Sequence, residues 1–364
     1  MKIAFYGSSL LSSYWNGAAT YYRGLLSDLA RRGYSITFYE PDAFDRQQHR
    51  DIAVPDWADV HVYPATEDAV RRVIAEAAKA DVVVKASGVG VFDHELLEGV
   101  VAASRPDAVR IFWDVDAPAT LAELRGDADH PLHRVMPSLD LVLTYGGGSP
   151  VIEAYEGFAA RRCVPIYNAL DPATHHPTPA EARFKADLSF LGNRLPDREA
   201  RVEQFFLEPA QRLPGRDLLI GGSGWETKTM PSNVRHIGHV YTRDHNAFNA
   251  SSLAVLNIAR DSMAATGFSP ATRVFEAAGA GACLITDAWV GLELFLKEGE
   301  EVLVARDGKD VAHHVEALTP ERAQGIGEAG RARIMRDHTY TRRGAEVDGI
   351  LRAEASRKRE RSVA

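Results

Sequence analysis

Strand-like apolar runs alternate along the chain with segments whose apolar residues recur at helical spacing. This alternation predicts parallel strands joined by helical crossovers, as in a Rossmann-like domain. In the first half, the predicted strands are 2–6, 35–39, 60–63, 81–86, 109–114, 139–145 and 163–167. The first half is therefore expected to form one α/β domain with a parallel sheet.

A second alternating series follows a connector at residues 168–179, whose sequence NALDPATHHPTP is rich in proline and polar residues. Its predicted strands are 187–191, 217–220, 253–257, 282–286 and 302–305. With 364 residues, the chain is long enough for two domains of about 150 to 180 residues each. We predict domains at 1–170 and 171–337, followed by a terminal helix and basic tail at 338–364.

The composition is that of a water-soluble globular protein, with 45% hydrophobic and 25% charged residues. No apolar run approaches the roughly 20 residues that a transmembrane helix needs, so a membrane-spanning segment is not expected. The first residues, MKIAFYG, enter a strand pattern directly, without the apolar core of a signal peptide. We therefore expect a cytoplasmic protein.

The charge balance argues against nucleic acid as the main partner, because 42 basic residues face 50 acidic ones and the formal net charge is -8. One basic cluster stands near the end of the chain. We expect it to be a solvated, frayed tail, with peripheral contact to anionic lipid as the alternative. Its residues are Arg352, Arg357, Lys358, Arg359 and Arg361.

Neither the cysteines nor the histidines show the spacing of a metal site. Cys163 and Cys283 lie in apolar, strand-like segments and are expected to be core thiols. The 13 histidines are scattered, and the two adjacent pairs, 175–176 and 313–314, lack the helical spacing of metal ligands. We predict no protein-bound metal and no cofactor.

The most informative segment is GFSPATRVFEAAGAGACLITD, residues 267–287. Ser269 is a candidate N-cap and Pro270 suits the first helical position. Free backbone N–H groups and the positive helix end would then face an anion such as a diphosphate. Ser269 and, in the same turn, Thr272 are therefore assigned to a donor-binding site.

Arg273 and Glu276 are three residues apart and so share one face of this predicted helix. The guanidinium can pair with phosphate oxygens, and the carboxylate can accept hydrogen bonds from two ribose hydroxyls. An ordinary capped helix with an exposed Arg–Glu pair is the alternative.

With these residues, the segment resembles the donor-binding signature of group 1 glycosyltransferases of the GT-B architecture, and most of all the CgeB-type (spore-maturation) branch. Many of those enzymes carry Glu, seven residues and a second Glu; here Phe268 stands at the first position and Glu276 at the second. The resemblance implies two Rossmann-like domains facing a central cleft and a last helix that crosses back to the N-terminal domain. It also implies metal-independent hexosyl transfer from a nucleoside-diphosphate sugar, with retention.

The loop Leu191-Gly192-Asn193-Arg194 follows the first predicted strand of the second domain and matches the same branch. Asn193 and Arg194 are assigned to the donor, and Arg194 would neutralise the leaving nucleoside diphosphate. Arg198 is a second candidate for this role, or it pairs with Glu199 or Asp197.

A glycine-rich turn at residues 221–225, GGSGW, resembles the family's Gly-Ser-Gly-Trp turn. Successive glycines leave backbone N–H groups uncovered, so Gly222 and Ser223 are assigned to the donor site. Trp225 either stacks on a nucleotide base or packs beneath the loop.

Three further segments complete the predicted donor site. His239 and Tyr241 are placed near the base edge. Asn257, with Arg260, would orient phosphate or sugar, or Asn257 satisfies local backbone groups. Gly17 lies in a small-residue loop that resembles the one approaching the donor phosphates from the acceptor domain.

Two carboxylates, Asp114 and Asp116, end a strand of the first domain and are candidates to receive the acceptor proton. Asp116 is the preferred base, and capping of the next helix is the alternative. With Arg194 and Arg273, they form the predicted catalytic set. In the retaining mechanism the departing phosphate itself can take the proton, which makes a dedicated base dispensable.

Two other functions use the same architecture. A nucleotide-sugar 2-epimerase would eliminate and re-add the diphosphate without an acceptor, and a non-catalytic protein would bind sugar nucleotides without turnover. Dinucleotide redox chemistry is disfavoured because residues 7–11 do not form G-x-G-x-x-G. No motif in the first domain specifies the unknown acceptor.

Overall fold

The computed structural model describes residues 1–14 and 16–363, with side chains as far as residue 360. The chain forms two compact units. Unit 1 comprises Met1–Tyr167 together with the terminal segment that begins at Tyr340, and unit 2 comprises Asn168–Thr339.

Unit 1 is built on a parallel sheet of seven strands in the order β3-β2-β1-β4-β5-β6-β7. Its first six strands follow the Rossmann order 3-2-1-4-5-6. All seven strands predicted in this half are present, with β2 and β3 longer than expected. Their bounds are β1 Lys2–Tyr6, β2 Ser35–Asp42, β3 Ala58–Pro64, β4 Val82–Ala86, β5 Val109–Asp114, β6 Leu141–Thr144 and β7 Cys163–Pro165.

Helices connect most of these strands, as is usual for parallel pairing, although none of the described helices lies between β2 and β3. They are α1 Ala19–Arg31, α2 Glu67–Ala75, α3 Asp93–Ala103, α4 Ala117–Gly126, α5 Pro131–Val135 and α6 Gly148–Gly157. Helix α2 shows how local sequence sets a boundary, because the Thr66 side chain accepts a hydrogen bond from the Ala69 N–H group and caps the helix.

Unit 2 repeats the same arrangement with six parallel strands in the order β10-β9-β8-β11-β12-β13. The bounds are β8 Ala186–Leu191, β9 Leu218–Gly221, β10 Val234–His236, β11 Ser252–Asn257, β12 Leu284–Asp287 and β13 Leu303–Ala305. The sequence did not predict β10. This edge strand has three residues, of which Arg235 is exposed, so its apolar signal is weak.

The helices of unit 2 are α7 Pro196–Val202, α8 Glu208–Arg212, α9 His245–Ser251, α10 Asp261–Thr266, α11 Thr272–Gly279, α12 Gly308–Ala317 and α13 Pro320–Asp337. A π-helical turn at Glu203–Leu207 joins α7 to α8. Cys283 is buried in this unit and Cys163 in unit 1, and burial raises the pKa of both thiols to about 12.

The last helix, α14 Tyr340–Val363, belongs to unit 1, which confirms the predicted return of the chain to its first domain. Tyr340 lies against α1 so closely that a Cβ atom added at Gly24 would come within 2.2 Å of the tyrosine ring. The Tyr34 hydroxyl donates a hydrogen bond to Asp348 at 2.7 Å. Small and aromatic residues of α1 thus provide the surface on which α14 packs.

The basic cluster on α14 is helical and mostly paired, which corrects the expectation of a frayed tail. Arg352 lies 2.7 Å from Asp348, and Lys358 lies 2.6 Å from Asp140. Arg357 pairs with Glu354, and Arg359 donates to the Ser356 hydroxyl. The side chain of Arg361 lies outside the described residues. Among the helices described, none is long and apolar enough to cross a bilayer.

Candidate active site

The strand order of unit 2 reverses between β8 and β11, which are hydrogen-bonded neighbours. In sheets of this order, ligands bind beyond the carboxyl ends of the strands at the reversal. The loop after β8 contains Asn193, and the loop after β11 ends at Arg260. The topology therefore points to this edge of unit 2 as a ligand site.

Helix α11 begins later than the sequence predicts. Ala271, not Ser269, is the N-cap residue, and Thr272 is the first helical residue. The Ser269 hydroxyl instead donates to the Gly267 carbonyl at 3.0 Å, in a turn where Phe268 has φ of 49°. The N-cap residue makes no side-chain hydrogen bond to the helix, so the first turn keeps the unpaired N–H groups of a helix start.

Arg273 and Glu276 lie side by side on α11, with side chains 14% and 11% exposed. Arg273 Nη1 is 3.3 Å from Glu276 Oε2. Arg273 Nε and Nη1 are buried and donate no hydrogen bond to any described group. Burial alone would raise the pKa of Glu276, but nearby His175, Arg273 and His245 together hold it below its usual value. The site thus presents a stable carboxylate beside a guanidinium with unused donors.

Two histidines that the sequence analysis did not assign to the site complete this cluster. His175 Nε2 is buried and lies 3.8 Å from Glu276 Oε1. His245 Nε2 lies 3.3 Å from the Val240 carbonyl oxygen. Burial, then the charge of Arg273, lowers the pKa of His245 to about 4, so its ring is neutral at pH 7. His175 comes from the connector and His245 from the start of α9, and their separation along the chain gives no recognisable motif.

The surroundings of Arg198 also indicate an anion-binding site. Its Nη2 donates to the Asn193 carbonyl oxygen at 2.5 Å, while its Nε is buried without a partner among the described groups. Burial lowers its pKa to about 10, and the positive charges of Arg273 and Arg260 contribute. The positive charges of these three arginines repel one another. An anion between them would relieve that repulsion.

Arg194 makes the ion pair that the sequence analysis considered for Arg198. Its Nη2 and Nε lie 2.7 and 2.9 Å from the two carboxylate oxygens of Glu199, and Lys228 lies 3.0 Å from the same carboxylate. The guanidinium is therefore neutralised within unit 2. This geometry moves the predicted phosphate-binding role from Arg194 to Arg198.

The glycine-rich turn uses its N–H groups internally. Gly222 N–H donates to the Gly238 carbonyl at 2.7 Å, and Ser223 N–H donates to Asn193 Oδ1 at 3.0 Å. Gly222 has φ of 126°, and an added Cβ would lie 2.2 Å from the Gly192 carbonyl oxygen. Glycine is required there for close approach of two loops, so the prediction that these N–H groups face a ligand is wrong.

Trp225 packs beneath this turn and does not stack on a base, because its side chain is only 1% exposed. Its indole N–H donates to the Gly192 carbonyl oxygen at 2.7 Å. The residue therefore fixes the position of the loop that carries Asn193.

We expect Trp225→Phe to lower the free energy of unfolding by about 1 to 3 kcal/mol, because the Gly192 carbonyl loses its buried donor. Chemical denaturation measures this change. Nucleotide affinity of the folded variant should stay unchanged; a loss of affinity at unchanged stability would instead indicate that the indole contacts the base.

Of the other residues predicted to contact the sugar-nucleotide donor, some are exposed and others are buried. His239 is exposed, and its ring lies 4.7 Å from that of Tyr241, which is 60% exposed. Their placement at a base edge stays a prediction. Asn257 is buried and donates to the Thr286 hydroxyl at 3.0 Å, so it serves the interior of the sheet. Arg260 lies 2.5 Å from Asp197.

In unit 1, Asp114 is fully buried and does not suit the role of base. It accepts hydrogen bonds from the hydroxyls of Ser87, Thr120 and Tyr155 at 2.8, 3.0 and 2.5 Å, and from the Asp116 N–H at 3.0 Å. Burial raises its pKa. Asp114 therefore organises the end of β5, while Asp116 occupies the N-cap position of α4 without a side-chain capping bond.

Gly17 is exposed in the loop that follows β1, and a Cβ atom added there would meet no atom of the described residues within 4 Å. The neighbouring Asn16 is buried and holds the loop together. Its amide nitrogen donates to the carbonyl oxygens of Ser9 and Ser12, and its oxygen accepts from the Ser8 hydroxyl. Asn16 thus supports the turn that exposes Gly17, whose donor contact stays a prediction.

Known proteins resemble this chain in sequence profile and in fold. Residues 198–348 match the sequence profile of the family described as Glycosyl transferase-like, and no curated protein sequence is significantly similar to the chain. Alr3699/HepE from Anabaena, solved with UDP and glucose, superposes with a TM-score of 0.69 at 13% identity over 97% of this chain and 100% of that one. Sucrose-phosphate synthase from Thermosynechococcus elongatus gives 0.69 at 13% identity over 97% and 98%. AviGT4, a glycosyltransferase of avilamycin A biosynthesis, gives 0.61 at 17% identity over 98% of each chain.

The protein has the GT-B fold. The profile match spans most of unit 2, including Arg198, His245, Arg273 and Glu276. Fold and profile together support a GT-B glycosyltransferase.

Proposed function

We propose that the protein transfers a sugar from a nucleoside-diphosphate sugar to an acceptor, with retention at the anomeric carbon and without a metal in the chemical step. We further propose that it belongs to the CgeB-type branch, because of its Leu-Gly-Asn-Arg loop and the missing first Glu of the signature. The nucleotide to test first is UDP, which accompanies Alr3699/HepE, a protein of the same fold.

The observation that carries this proposal is the combination of charges in unit 2. Glu276 is a carboxylate suited to two ribose hydroxyls, and Arg273 and Arg198 have buried nitrogens that donate no hydrogen bond to any described residue. A nucleoside diphosphate has this complementary pattern, with a ribose diol and a diphosphate joined through C4′ and the C5′ methylene group. The start of α11 adds backbone N–H groups to the same site.

In the proposed reaction, the bond between the anomeric carbon and the diphosphate oxygen breaks as the acceptor oxygen attacks from the same face. Arg198 and Arg273 stabilise the negative charge that develops on the diphosphate. The acceptor proton passes to the departing phosphate oxygen, and the new glycosidic bond retains the anomeric configuration. No protein carboxylate has to take the proton.

The variant Asp116→Asn tests whether the reaction needs a protein carboxylate as general base. We expect kcat to fall by less than about 10-fold, whereas loss of a general base costs about 10² to 10⁴-fold. Steady-state rates with saturating donor and acceptor measure the effect. A larger fall, with a pH profile that loses its acidic limb, would assign Asp116 as the base.

Donor turnover separates the proposal from its alternatives. The protein is incubated with UDP-sugars alone and with a panel of glycan, lipid, peptide and small-molecule acceptors, and products are analysed by mass spectrometry and NMR. Transfer predicts a glycosylated acceptor with the donor's anomeric configuration. An epimeric donor formed without acceptor would indicate a 2-epimerase, and tight binding without any product would indicate a non-catalytic protein.

A further inference from the structure

Three potential metal ligands converge in unit 2. Ligand atoms of His175, His245 and Glu276 all lie within 4.8 Å of one another. His175 Nε2 and Glu276 Oε1 are 3.8 Å apart, close to the roughly 3.3 to 4 Å that separates two ligands of one zinc ion. Side-chain movements of less than about 1 Å would bring the two most distant of these ligand atoms to the separation found between two ligands of one zinc ion.

The two imidazoles present nitrogens that no protein group uses. His175 Nε2 and His245 Nδ1 are both buried and have no hydrogen-bond partner among the described residues. At His245 the opposite nitrogen, Nε2, faces the Val240 carbonyl oxygen, which can only accept a hydrogen bond. Nε2 therefore carries the proton, and Nδ1 offers a lone pair. Metal-binding histidines are commonly fixed by such a bond from the second ring nitrogen to a carbonyl group.

The neighbouring arginine does not block the carboxylate. Arg273 Nη1 faces Glu276 Oε2, whereas His175 faces Oε1. One carboxylate oxygen thus lies beside the guanidinium, and the other faces His175.

We propose that His175, His245 and Glu276 bind a transition-metal ion, Zn²⁺ in particular, with water in the remaining position. The ion would regulate the protein rather than take part in transfer. Because Glu276 is also the proposed ribose ligand, a bound ion and a nucleotide exclude each other. Only in this respect does the inference rest on the proposed function.

The metal site is tested without nucleotide. Metal-free full-length protein is titrated with Co²⁺, and its visible absorption is followed before displacement by Zn²⁺. We expect one ion per chain, with affinity reduced at least about 10-fold in His175→Gln and in His245→Gln but unchanged in His176→Gln. Absence of binding, or equal binding by all four proteins, would overturn the proposal.

A second measurement uses the unmodified chain, in case the variants fold poorly. X-ray absorption at the zinc edge, with one equivalent of Zn²⁺ bound, should show outer-shell scattering from two imidazoles and a first shell of nitrogen and oxygen only. A spectrum with one imidazole or none contradicts the proposed ligand set.

Exclusion of the nucleotide is measured separately, by UDP titration with and without saturating Zn²⁺. The wild type should lose at least about 10-fold in UDP affinity, and His175→Gln, exposed to the same free Zn²⁺, should lose less. Equal losses would trace the effect to chelation of UDP and overturn the exclusion. If UDP binds neither protein in the presence of a chelator, the proposed function fails while the Co²⁺ result still decides the metal site.

Discussion

Arg198→Ala is expected to lower kcat by about 10² to 10³-fold, the effect of removing one charged donor from a developing anion in a water-excluded site. Arg198 has a buried Nε that donates no hydrogen bond to any residue the structure describes, and it lies close enough to Arg273 for their charges to interact. A diphosphate leaving group would use this donor most strongly in the transition state. The fall should therefore appear in kcat more than in KM.

The matched control is Arg194→Ala. Arg194 has the same side chain and lies on the loop just before α7, the helix that contains Arg198, but Glu199 already accepts two hydrogen bonds from it. We expect less than about a 10-fold change in kcat, since Glu199 already neutralises this guanidinium and leaves it less free to bind a diphosphate. A large loss in Arg194→Ala together with near-normal activity in Arg198→Ala would reverse the assignment. Thermal unfolding of both variants separates catalytic effects from instability.

Glu276→Ala is expected to weaken UDP binding by about 10- to 150-fold, because hydrogen bonds to a charged group contribute about 1.5 to 3 kcal/mol. Isothermal titration in a buffer with a metal chelator measures this loss. Glu276→Gln keeps the size of the side chain and should lose less.

The control for Glu276 is Glu203→Ala, which removes a carboxylate that pairs with Lys228 in the same unit. Its UDP affinity should equal that of the wild type. Because Glu276→Ala also leaves Arg273 without its neighbouring carboxylate, unfolding curves of the variant are needed beside the titration. Normal UDP affinity in a folded Glu276→Ala protein would remove the ribose assignment.

The fold was predictable because parallel sheets bury both faces and leave continuous apolar runs in the sequence. All residues of β4 are buried, for example, and this strand was predicted. The exception is β10, whose three residues at the sheet edge are not fully buried. The sequence also predicted the wrong start for α11. Ser269 is a residue type that favours the N-cap position, but its hydroxyl donates a hydrogen bond within the preceding turn.

The site was only partly predictable, because pairing between side chains depends on tertiary geometry. The proximity of Arg273 and Glu276 followed from helical spacing. The arginine that pairs with Glu199 could not be predicted, because Arg194 and Arg198 both precede it closely in the sequence and the local backbone geometry decides between them. His175 and His245 meet Glu276 from three separate segments, for which a single sequence carries no signal.

The central claim is that unit 2 holds a nucleoside diphosphate by its ribose and its phosphates. A crystal structure of the protein with UDP tests it most directly. We predict that the two ribose hydroxyls donate to the Glu276 carboxylate and that the diphosphate contacts Arg198 and Arg273. A structure with UDP bound at another place, and with these three side chains free of it, would contradict the claim.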